Sequence, residues 1–447
     1  MRLSANNLIG ACLSAAILAA CGAGNNGLSS STPVSVKSRM ARQLPATSAE
    51  QVVYRFAGGT DGANPESVLV NVNGTLYGTT IFGGTGSCSG SSGASGCGTV
   101  FKVSTSGDES VLYRFKGGAD GANPEMATGL IATNDALYGT TANGGGSGCY
   151  DGGGCGTVFK LTLSGKETVL YRFKGTTDGA YPLTGVLARS GALYGVAYGG
   201  GGGSGCGSSA GCGTVFKLSA SGKERALYSF KGGTDGANPL SLIDVNGVFY
   251  GTTTGGGGTG CGGGGCGTAY KVSGSTGAES VLHSFQGGSD GADPQSSLLE
   301  MNGAFFGTTY LGGGSECGGS GCGTVFELSA SDSEGVLWHF RNGPDPAKPG
   351  AGLIAVNGRM YGISNYGGFH GGHCDLSGGC GTVFQVFLAK SGYTGSTIYA
   401  FKGHSLDGAF PHANLLNVNG TIYGTTYQGD DYGCGGKGCG TVFRITL

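Results

Sequence analysis

Three short motifs recur seven times along this chain, and that recurrence constrains the fold more than any other feature. The repeat length is about 57 residues, long enough for one supersecondary unit that needs its neighbours to bury a core. The motif "GCGTVF" begins at Gly96, Gly154, Gly211, Gly321, Gly379 and Gly438, and as "GCGTAY" at Gly265. "LYGTT" or a variant begins at Leu76, Leu137, Leu193, Phe249, Phe305, Met360 and Ile422. "YRFxGGxDGANP", degraded in later copies, begins at Tyr54, Tyr113, Tyr171, Tyr228, His283, Trp338 and Tyr399.

One repeat divides into four short β-strands, which we label a, b, c and d in chain order. In the second repeat, strand a covers Gly129–Asn134 and strand b covers Ala136–Thr141. A Gly-rich loop leads to strand c at Gly156–Leu163, and a tight turn leads to strand d at Thr168–Phe173. Alternating apolar residues, β-branched side chains and Gly-bearing turns favour strands over helices.

Four antiparallel strands repeated seven times indicate an all-β, seven-bladed β-propeller. The repeat region begins with a lone d strand, Val52–Phe56, and ends with strands a, b and c in Ala413–Leu447. We therefore predict that residues 51–447 form the propeller, and that 51–56 complete a last blade made of 403–447. Such closure removes an exposed sheet edge. A β-solenoid is the alternative fold, but it gives no reason for the split seventh repeat.

The repeat "LYGTTxxGGxxGCGTVFKLxxSGxExxLYRF" resembles the GloVer tandem repeat of exported bacterial proteins that carry interchangeable surface anchors. The resemblance covers nearly all of the chain after residue 50, and all seven repeats share it. It implies a place at the cell envelope and no particular reaction. The blades are also distantly similar to those of pyrroloquinoline-quinone enzymes, but nothing in the residues predicts that cofactor, and we expect none.

Sixteen cysteines support export. Cys12 lies in an apolar leader and Cys21 directly follows it, so fourteen remain, in close pairs at regular spacing. An even count with local spacing in an exported chain indicates disulfides, each worth roughly 2 kcal/mol for so short a loop. The predicted pairs are Cys88–Cys97, Cys149–Cys155, Cys206–Cys212, Cys261–Cys266, Cys317–Cys322, Cys374–Cys380 and Cys434–Cys439.

The N-terminus has the layout of a secretory signal peptide. Arg2 precedes an apolar run, Leu8–Ala20, that is too short to span a bilayer. Leu18–Cys21 resembles the lipobox of bacterial lipoproteins, so we predict a signal peptide over 1–20, a lipidated Cys21 and a flexible tether over 21–50. Because Gly22 is not aspartate, the resemblance implies the outer membrane. The alternative is ordinary cleavage that gives a soluble secreted protein.

Charge excludes one class of partner. Only 12% of the residues are charged and the formal net charge is −2, so no basic surplus exists to neutralise phosphates. We expect no nucleic-acid partner, and a monomer.

One aspartate per repeat occupies an equivalent position, in an Asp-Gly turn. The simplest interpretation is that each carboxylate caps backbone amides. A ring of calcium sites is the alternative, although one aspartate per repeat supplies few of the oxygens that calcium needs. Aromatic residues at i and i+2 in strand d, such as Tyr113 and Phe115, are expected in the core between blades. The aspartates are Asp61, Asp120, Asp178, Asp235, Asp290, Asp345 and Asp407.

Departures from the repeat are the better candidates for a single site, because one site on a pseudo-symmetric ring must break the symmetry. His283 and His339 lie in d strands and are expected to be structural. The sixth and seventh repeats, by contrast, carry polar residues in loops that a propeller places on one face, where paired carboxylates, histidines and a lysine could hold a metal or an anion. The candidate ligand-binding residues are His370, His373, Asp375, His404, Asp430, Asp431 and Lys437, with His412 nearby.

From these features we expect a surface-anchored lipoprotein that binds a polysaccharide or an envelope protein on the loop face of the propeller. No Ser-His-Asp order, "HExxH" motif or P-loop is present, so an enzyme is the less favoured interpretation, and no catalytic or metal-ligating residue is assigned. The alternative is an extracytoplasmic hydrolase or lyase with one site at the channel mouth of repeats six and seven.

Overall fold

The computed structural model describes residues 50–447 except 89–93, 125–128, 134, 147, 150–151, 204, 207–210, 330–332, 342, 371–373, 375–377, 391, 404–406 and 430–432. The predicted signal peptide, Cys21 and nearly all of the predicted tether therefore lie outside the described residues. No helix in the described part of the chain is long and apolar enough to cross a membrane.

Seven antiparallel sheets of strands a to d follow one another along the chain, which confirms the predicted seven-bladed β-propeller. Apolar residues alternate along the strands and small turns separate them, so each sheet is a meander. The a strands are Val70–Val72, Ile131–Thr133, Leu187–Arg189, Ile243–Val245, Leu299–Met301, Ile354–Val356 and Leu416–Val418. The b strands are Thr75–Phe82, Ala136–Thr141, Ala192–Ala197, Val248–Gly255, Ala304–Thr309, Arg359–Ser364 and Thr421–Thr426.

The other two strands of each blade complete the sheets. The c strands are Thr99–Ser104, Thr157–Thr162, Thr214–Ser219, Thr268–Ser273, Thr324–Leu328, Thr382–Ala389 and Thr441–Thr446. The d strands are Glu109–Arg114, Glu167–Arg172, Glu224–Ser229, Glu279–Ser284, Glu334–His339, Gly392–Ala400 and, for blade 7, Glu50–Arg55. A short segment precedes strand a in several blades. Ala63–Pro65 and Ala237–Pro239 pair with the end of strand b in their own blade. Pro346–Ala347 pairs with Tyr366–Gly367, and Gly408–Ala409 pairs with Gln428–Gly429, both of which follow strand b.

Both ends of the repeat region build the seventh blade. Glu50–Arg55 pairs antiparallel with Thr441–Thr446, in a register that joins Val52 to Phe443 and Tyr54 to Val442. The same offset joins the c and d strands of blade 1. The first described strand therefore occupies the place of a normal fourth strand.

Aromatic rings form the core between neighbouring blades, as the sequence predicts. The Phe115 ring, which follows strand d of blade 1, lies edge-on to Phe159 of strand c in blade 2, with ring centroids 5.2 Å apart. Both side chains are completely buried. Rings in this edge-to-face arrangement attract each other in addition to the stabilisation from the area they bury. The same contact therefore stabilises the packing of each blade against the next.

All seven predicted disulfides are present. Five of them pack against a glycine of the loop that carries the Asp-Gly turn: Gly58, Gly117, Gly175, Gly287 and Gly403. At Gly117, whose φ is 76°, an added Cβ would lie only 3.0 Å from the Cys97 sulfur, so glycine is required both by the backbone conformation and by this close approach. The disulfides thus pin the Gly-rich b–c loops against the Asp-Gly loops.

Candidate functional site

The sequence-predicted ligand-binding cluster lies mostly outside the described residues. His373, Asp375, His404, Asp430 and Asp431 are among those that the structure does not describe. His370 is exposed, and its Nε2 atom lies 3.1 Å from the Gly343 carbonyl oxygen. Lys437 is exposed as well, in the loop closed by the last disulfide. The grouping of these seven residues stays a prediction.

Six of the seven repeated aspartates cap backbone amides, as predicted, and five of these six also join a tyrosine and a glutamate of neighbouring blades. Asp120 accepts a hydrogen bond from the Lys116 backbone N–H at 2.8 Å and another from the Tyr113 hydroxyl at 2.6 Å. Glu167, which begins the next d strand, lies close enough for its charge to interact with that of Asp120. The five Tyr–Asp–Glu trios are Tyr54–Asp61–Glu109, Tyr113–Asp120–Glu167, Tyr171–Asp178–Glu224, Tyr228–Asp235–Glu279 and Tyr399–Asp407–Glu50.

The glutamate of each trio has an altered acidity. Burial, followed by the charge of the neighbouring aspartate, raises the pKa of Glu167 to about 7, and the other four glutamates behave alike. One carboxyl oxygen of each is buried and has no hydrogen-bond partner. Burial and the hydrogen bond to aspartate raise the pKa of the tyrosine hydroxyl above its usual value. The trios are therefore polar contacts between blades that hold a proton near neutral pH.

These raised values predict that the protein is more stable in mild acid than in mild base. An unfolded glutamate releases its proton near pH 4.5, whereas folded Glu167 keeps it up to about pH 7. The folded chain binds more protons between these values, so the free energy of unfolding falls as pH rises through that window. Because the group is partly exposed, we expect less than about 1 kcal/mol from each trio.

Urea unfolding from pH 5 to 8 measures this slope. Glu167→Gln keeps the shape and removes the titration, so this variant should show a shallower slope and higher stability than the wild type above pH 7. Glu300→Gln, at an exposed position, is the control and should leave the slope unchanged. A wild-type stability that rises with pH across this range would contradict the prediction.

Two blade boundaries depart from the trio. Between blades 4 and 5 a histidine replaces the tyrosine, and His283 Nε2 lies 3.2 Å from Asp290 Oδ1. Burial opposes ionisation of Asp290, but hydrogen bonds from His283 and the Gln286 N–H outweigh it and hold the pKa of Asp290 below its usual value. Between blades 5 and 6, Trp338 takes the tyrosine position and Gly395 takes the glutamate position.

A second departure lies at the inner edge of the blades, in the segment before strand a. The third residue of "GANP" has a positive φ in all seven blades. In blades 1, 2 and 4 it is asparagine, which favours this conformation. Its amide donates to a carbonyl of the preceding blade, as Asn123 does to Ile81 at 3.1 Å. In the later blades this position holds Asp293, Lys348 and Phe410, none of which has that amide.

The replacements bring charged and aromatic groups together across blades 5 and 6. Lys348 Nζ lies over two rings, 5.5 Å from the centroid of Tyr310 and 5.7 Å from that of Tyr366. Burial lowers the pKa of the Lys348 ammonium group. Asp293 keeps some solvent exposure, yet protein atoms surround its carboxyl, and this burial raises its pKa to about 6. A cation between two aromatic faces is a favourable arrangement.

The same edge continues through blade 7 into blade 1. The rings of Tyr366 and Phe410 lie 5.8 Å apart, and the His412 ring stacks on Tyr427 at 5.5 Å. His412 Nδ1 lies 2.6 Å from Oε1 of Glu66, a buried carboxyl of blade 1. We define the inner-rim cluster as Glu66, Asp293, Tyr310, Lys348, Tyr366 and His412.

Sequence reasoning missed most of this cluster, although a signal was available. The predicted site rests on departures in the loops, whereas the third residue of "GANP" also departs from its consensus in repeats three, five, six and seven. Aligned repeats show Asp293, Lys348 and Phe410 where asparagine is expected. Only His412 was singled out, and only the structure brings it to Glu66.

The repeat itself matches a known family. Residues 44–263 match the Gloeobacter/Verrucomicrobia repeat. The chain belongs to this repeat family. The match confirms the resemblance predicted from the three motifs, and the later repeats carry the same motifs. Together with the seven disulfides, membership of the Gloeobacter/Verrucomicrobia repeat family indicates an extracytoplasmic location.

No curated protein sequence matches this member of the repeat family significantly. Solved structures with a similar fold include an oligogalacturonate lyase in complex with manganese, at a TM-score of 0.47 and 10% identity, covering 90% of this chain and 97% of that one. A putative 6-phosphogluconolactonase from Bacteroides fragilis has a TM-score of 0.46 and 14% identity, covering 79% and 88%. The computationally designed Ika8 protein has a TM-score of 0.45 and 12% identity, covering 89% and 100%. The likeness concerns the fold alone.

Proposed function

We propose that this protein is an extracytoplasmic binding module that holds a polysaccharide at the inner-rim cluster. The observation that carries the proposal is the position of Lys348 over Tyr310 and Tyr366, which come from neighbouring blades. The corresponding residue of blades 1, 2 and 4 has a structural role, since its amide bridges to the preceding blade. Blades 5 and 6 carry the charged side chains of Asp293 and Lys348 in place of this asparagine amide. The replacement supports a single binding site on the ring.

The chemistry of the cluster suits a sugar chain. Sugar rings present apolar C–H faces that pack against aromatic side chains, and their hydroxyl groups need fixed donors and acceptors. Tyr366, which is partly exposed, supplies an aromatic face beside the buried Tyr310, while Lys348 supplies a donor and Asp293 an acceptor. A propeller whose loops are pinned by disulfides holds such groups rigidly, which lowers the entropic cost of binding.

The anchor completes the proposal. A lipid on Cys21 and a tether over 21–50 would attach the propeller to the outer membrane, where envelope polysaccharides are the available ligands. A protein of the envelope is the alternative ligand. A secreted form without lipid would bind ligands of the same chemical kind in the medium. Mass spectrometry of the exported protein tests the anchor, because a diacylated N-terminal cysteine has a characteristic mass.

Glycan and envelope-protein arrays probed with the purified, disulfide-bonded protein test the binding function. We expect saturable glycan binding with one equivalent per chain, and Lys348→Met should weaken it at least tenfold. Lys231→Met is the matched control, because Lys231 Nζ also lies over a tyrosine ring, 5.7 Å from Tyr228, but at the outer trio. Seven equivalents per chain, or equal losses in both variants, would contradict the inner-rim site.

The second candidate function is a hydrolase or lyase acting on the same ligand. The pair of His412 and Glu66, whose Nδ1 and Oε1 atoms lie 2.6 Å apart, is an arrangement that acid–base chemistry can use. Products released from the bound glycan, measured as new reducing ends or as unsaturated sugars absorbing in the ultraviolet, would favour the enzyme. Stable binding without products favours the module.

A further inference from the structure

The boundary between blades 4 and 5 differs from the five trios by one residue of a different chemical kind. At the five boundaries that carry a trio, a tyrosine hydroxyl donates to the repeated aspartate, as Tyr228 does to Asp235 at the preceding boundary. Here His283 takes the tyrosine position, while the aspartate and the glutamate are kept as Asp290 and Glu334. The change replaces a phenol with an imidazole and leaves both carboxyl groups in place.

The three side chains converge. His283 Nε2 lies 3.2 Å from Asp290 Oδ1 and 3.3 Å from Oδ2. With one carboxyl oxygen of Glu334, the ligand atoms all lie within 4.8 Å of one another. Among the described residues this is the one group of at least three histidine, cysteine, aspartate or glutamate side chains with such spacing. The separations suit ligands placed about 2.0–2.2 Å from one small cation.

The groups around His283, Asp290 and Glu334 favour a bound cation at this site over a hydrogen bond between His283 and Asp290 alone. The Gln286 N–H donates to Asp290 Oδ2 at 2.6 Å, which orients the carboxylate as outer partners of metal ligands do. Glu334 Oε1 is buried without a hydrogen-bond partner, so an acceptor oxygen at the site is unsatisfied. The side chains of His283 and Asp290 are each 20% exposed, which leaves a path for an ion and a position for water.

Imidazole distinguishes this boundary from the others. The glutamates of the trios also have an unsatisfied oxygen, but their third member is a phenol that keeps its proton and is a poor ligand. A neutral imidazole offers a lone pair, and one nitrogen with two carboxylates is a donor set that zinc and related cations accept. The seven disulfides occupy the fourteen cysteines of the propeller, so these offer no competing thiolate.

We propose that His283, Asp290 and Glu334 bind one divalent transition-metal cation, with Zn²⁺ the best match, and that the ion links blade 4 to blade 5. The site is separate from the inner-rim cluster and does not depend on the proposed function. Because the ligands come from two blades, the bound ion stabilises the folded ring by mass action.

Zinc titration of the chelator-treated, disulfide-bonded protein tests the site, with calorimetry for stoichiometry and thermal unfolding for linkage. We expect one Zn²⁺ per chain with a micromolar dissociation constant and a higher Tm when zinc is bound. His283→Tyr should weaken zinc binding at least 100-fold. This variant should fold, because tyrosine occupies the same position at five other boundaries. Glu334→Gln should weaken binding at least tenfold.

The repeat also offers a gain-of-site control. Tyr228→His converts the preceding trio into the same set of a histidine and two carboxyl groups, and we expect two Zn²⁺ per chain. The proposal is overturned if the wild type binds no zinc below 1 mM, or if His283→Tyr binds zinc as tightly as the wild type. It is also overturned if zinc binding is lost in His370→Ala and retained in His283→Tyr, because the ion would then lie in the loop cluster.

Discussion

Truncation of Phe56 to alanine is expected to lower the free energy of unfolding by about 4 kcal/mol. The side chain is 1% exposed, and its ring lies edge-on to Phe101 of blade 1 with centroids 4.9 Å apart. Phe56 follows the first described strand, Glu50–Arg55, which completes blade 7. The truncation therefore removes the aromatic contact between the last blade and the first and leaves a cavity there.

Phe115→Ala is the matched control for this measurement. Phe115 makes the same contact between blades 1 and 2, where the chain is continuous. Equal losses for the two variants in urea unfolding, with unchanged m-values, would show that the junction of the two ends of the repeat region is as strong as an internal one. A loss below about 1 kcal/mol for Phe56→Ala, with a large loss for Phe115→Ala, would show a weak junction.

The second large effect is expected where a trio is missing. Trp338 and Gly395 occupy the tyrosine and glutamate positions between blades 5 and 6, and a Cβ at position 395 would fall on the indole ring. Gly395→Glu should therefore cost about 3 kcal/mol through overpacking. Trp338→Tyr alone should cost about 1 kcal/mol, because the smaller ring leaves space unfilled.

The double variant, Trp338→Tyr with Gly395→Glu, should be close to the wild type in stability. It restores the tyrosine and the glutamate that form a trio with the repeated aspartate, here Asp345. It also removes the clash between the residue at position 395 and the indole ring. The coupling energy from the double-mutant cycle, measured by urea unfolding, should be about 3 to 4 kcal/mol, because the single losses add up and the double variant loses little. Simple addition of the two single losses would show that the ring and the missing side chain do not compensate each other.

The local sequence pattern was enough to predict the strands of the blades and the disulfides. Strand d of the second repeat, predicted at Thr168–Phe173, is found at Glu167–Arg172, because alternation and turn residues act within a few neighbours. The disulfides join cysteines only five to nine residues apart. The capping role of Asp120 was predicted for the same reason, whereas its bond to Tyr113 was not.

The same difference between local and long-range contacts applies to the two candidate binding clusters. The loop cluster predicted around His370 and Lys437 rests on residues that the structure largely does not describe. The inner-rim cluster was not predicted, since its members gain meaning only beside residues of other blades. His412 and Glu66 are 346 residues apart in sequence, and no local pattern pairs them.

The sequence by itself determined the repeat, the four strands of each blade, the seven disulfides and the split last blade. The first three follow from interactions within one repeat, so a periodic pattern records them, and the split last blade follows from the order of strands at the two ends of the repeat region. Tertiary structure alone decided that Lys348 lies between Tyr310 and Tyr366 and that His283 converges with Asp290 and Glu334. Those groups meet because neighbouring blades pack against each other. Contacts across blade boundaries depend on how the sheets pack and twist, which no single repeat encodes.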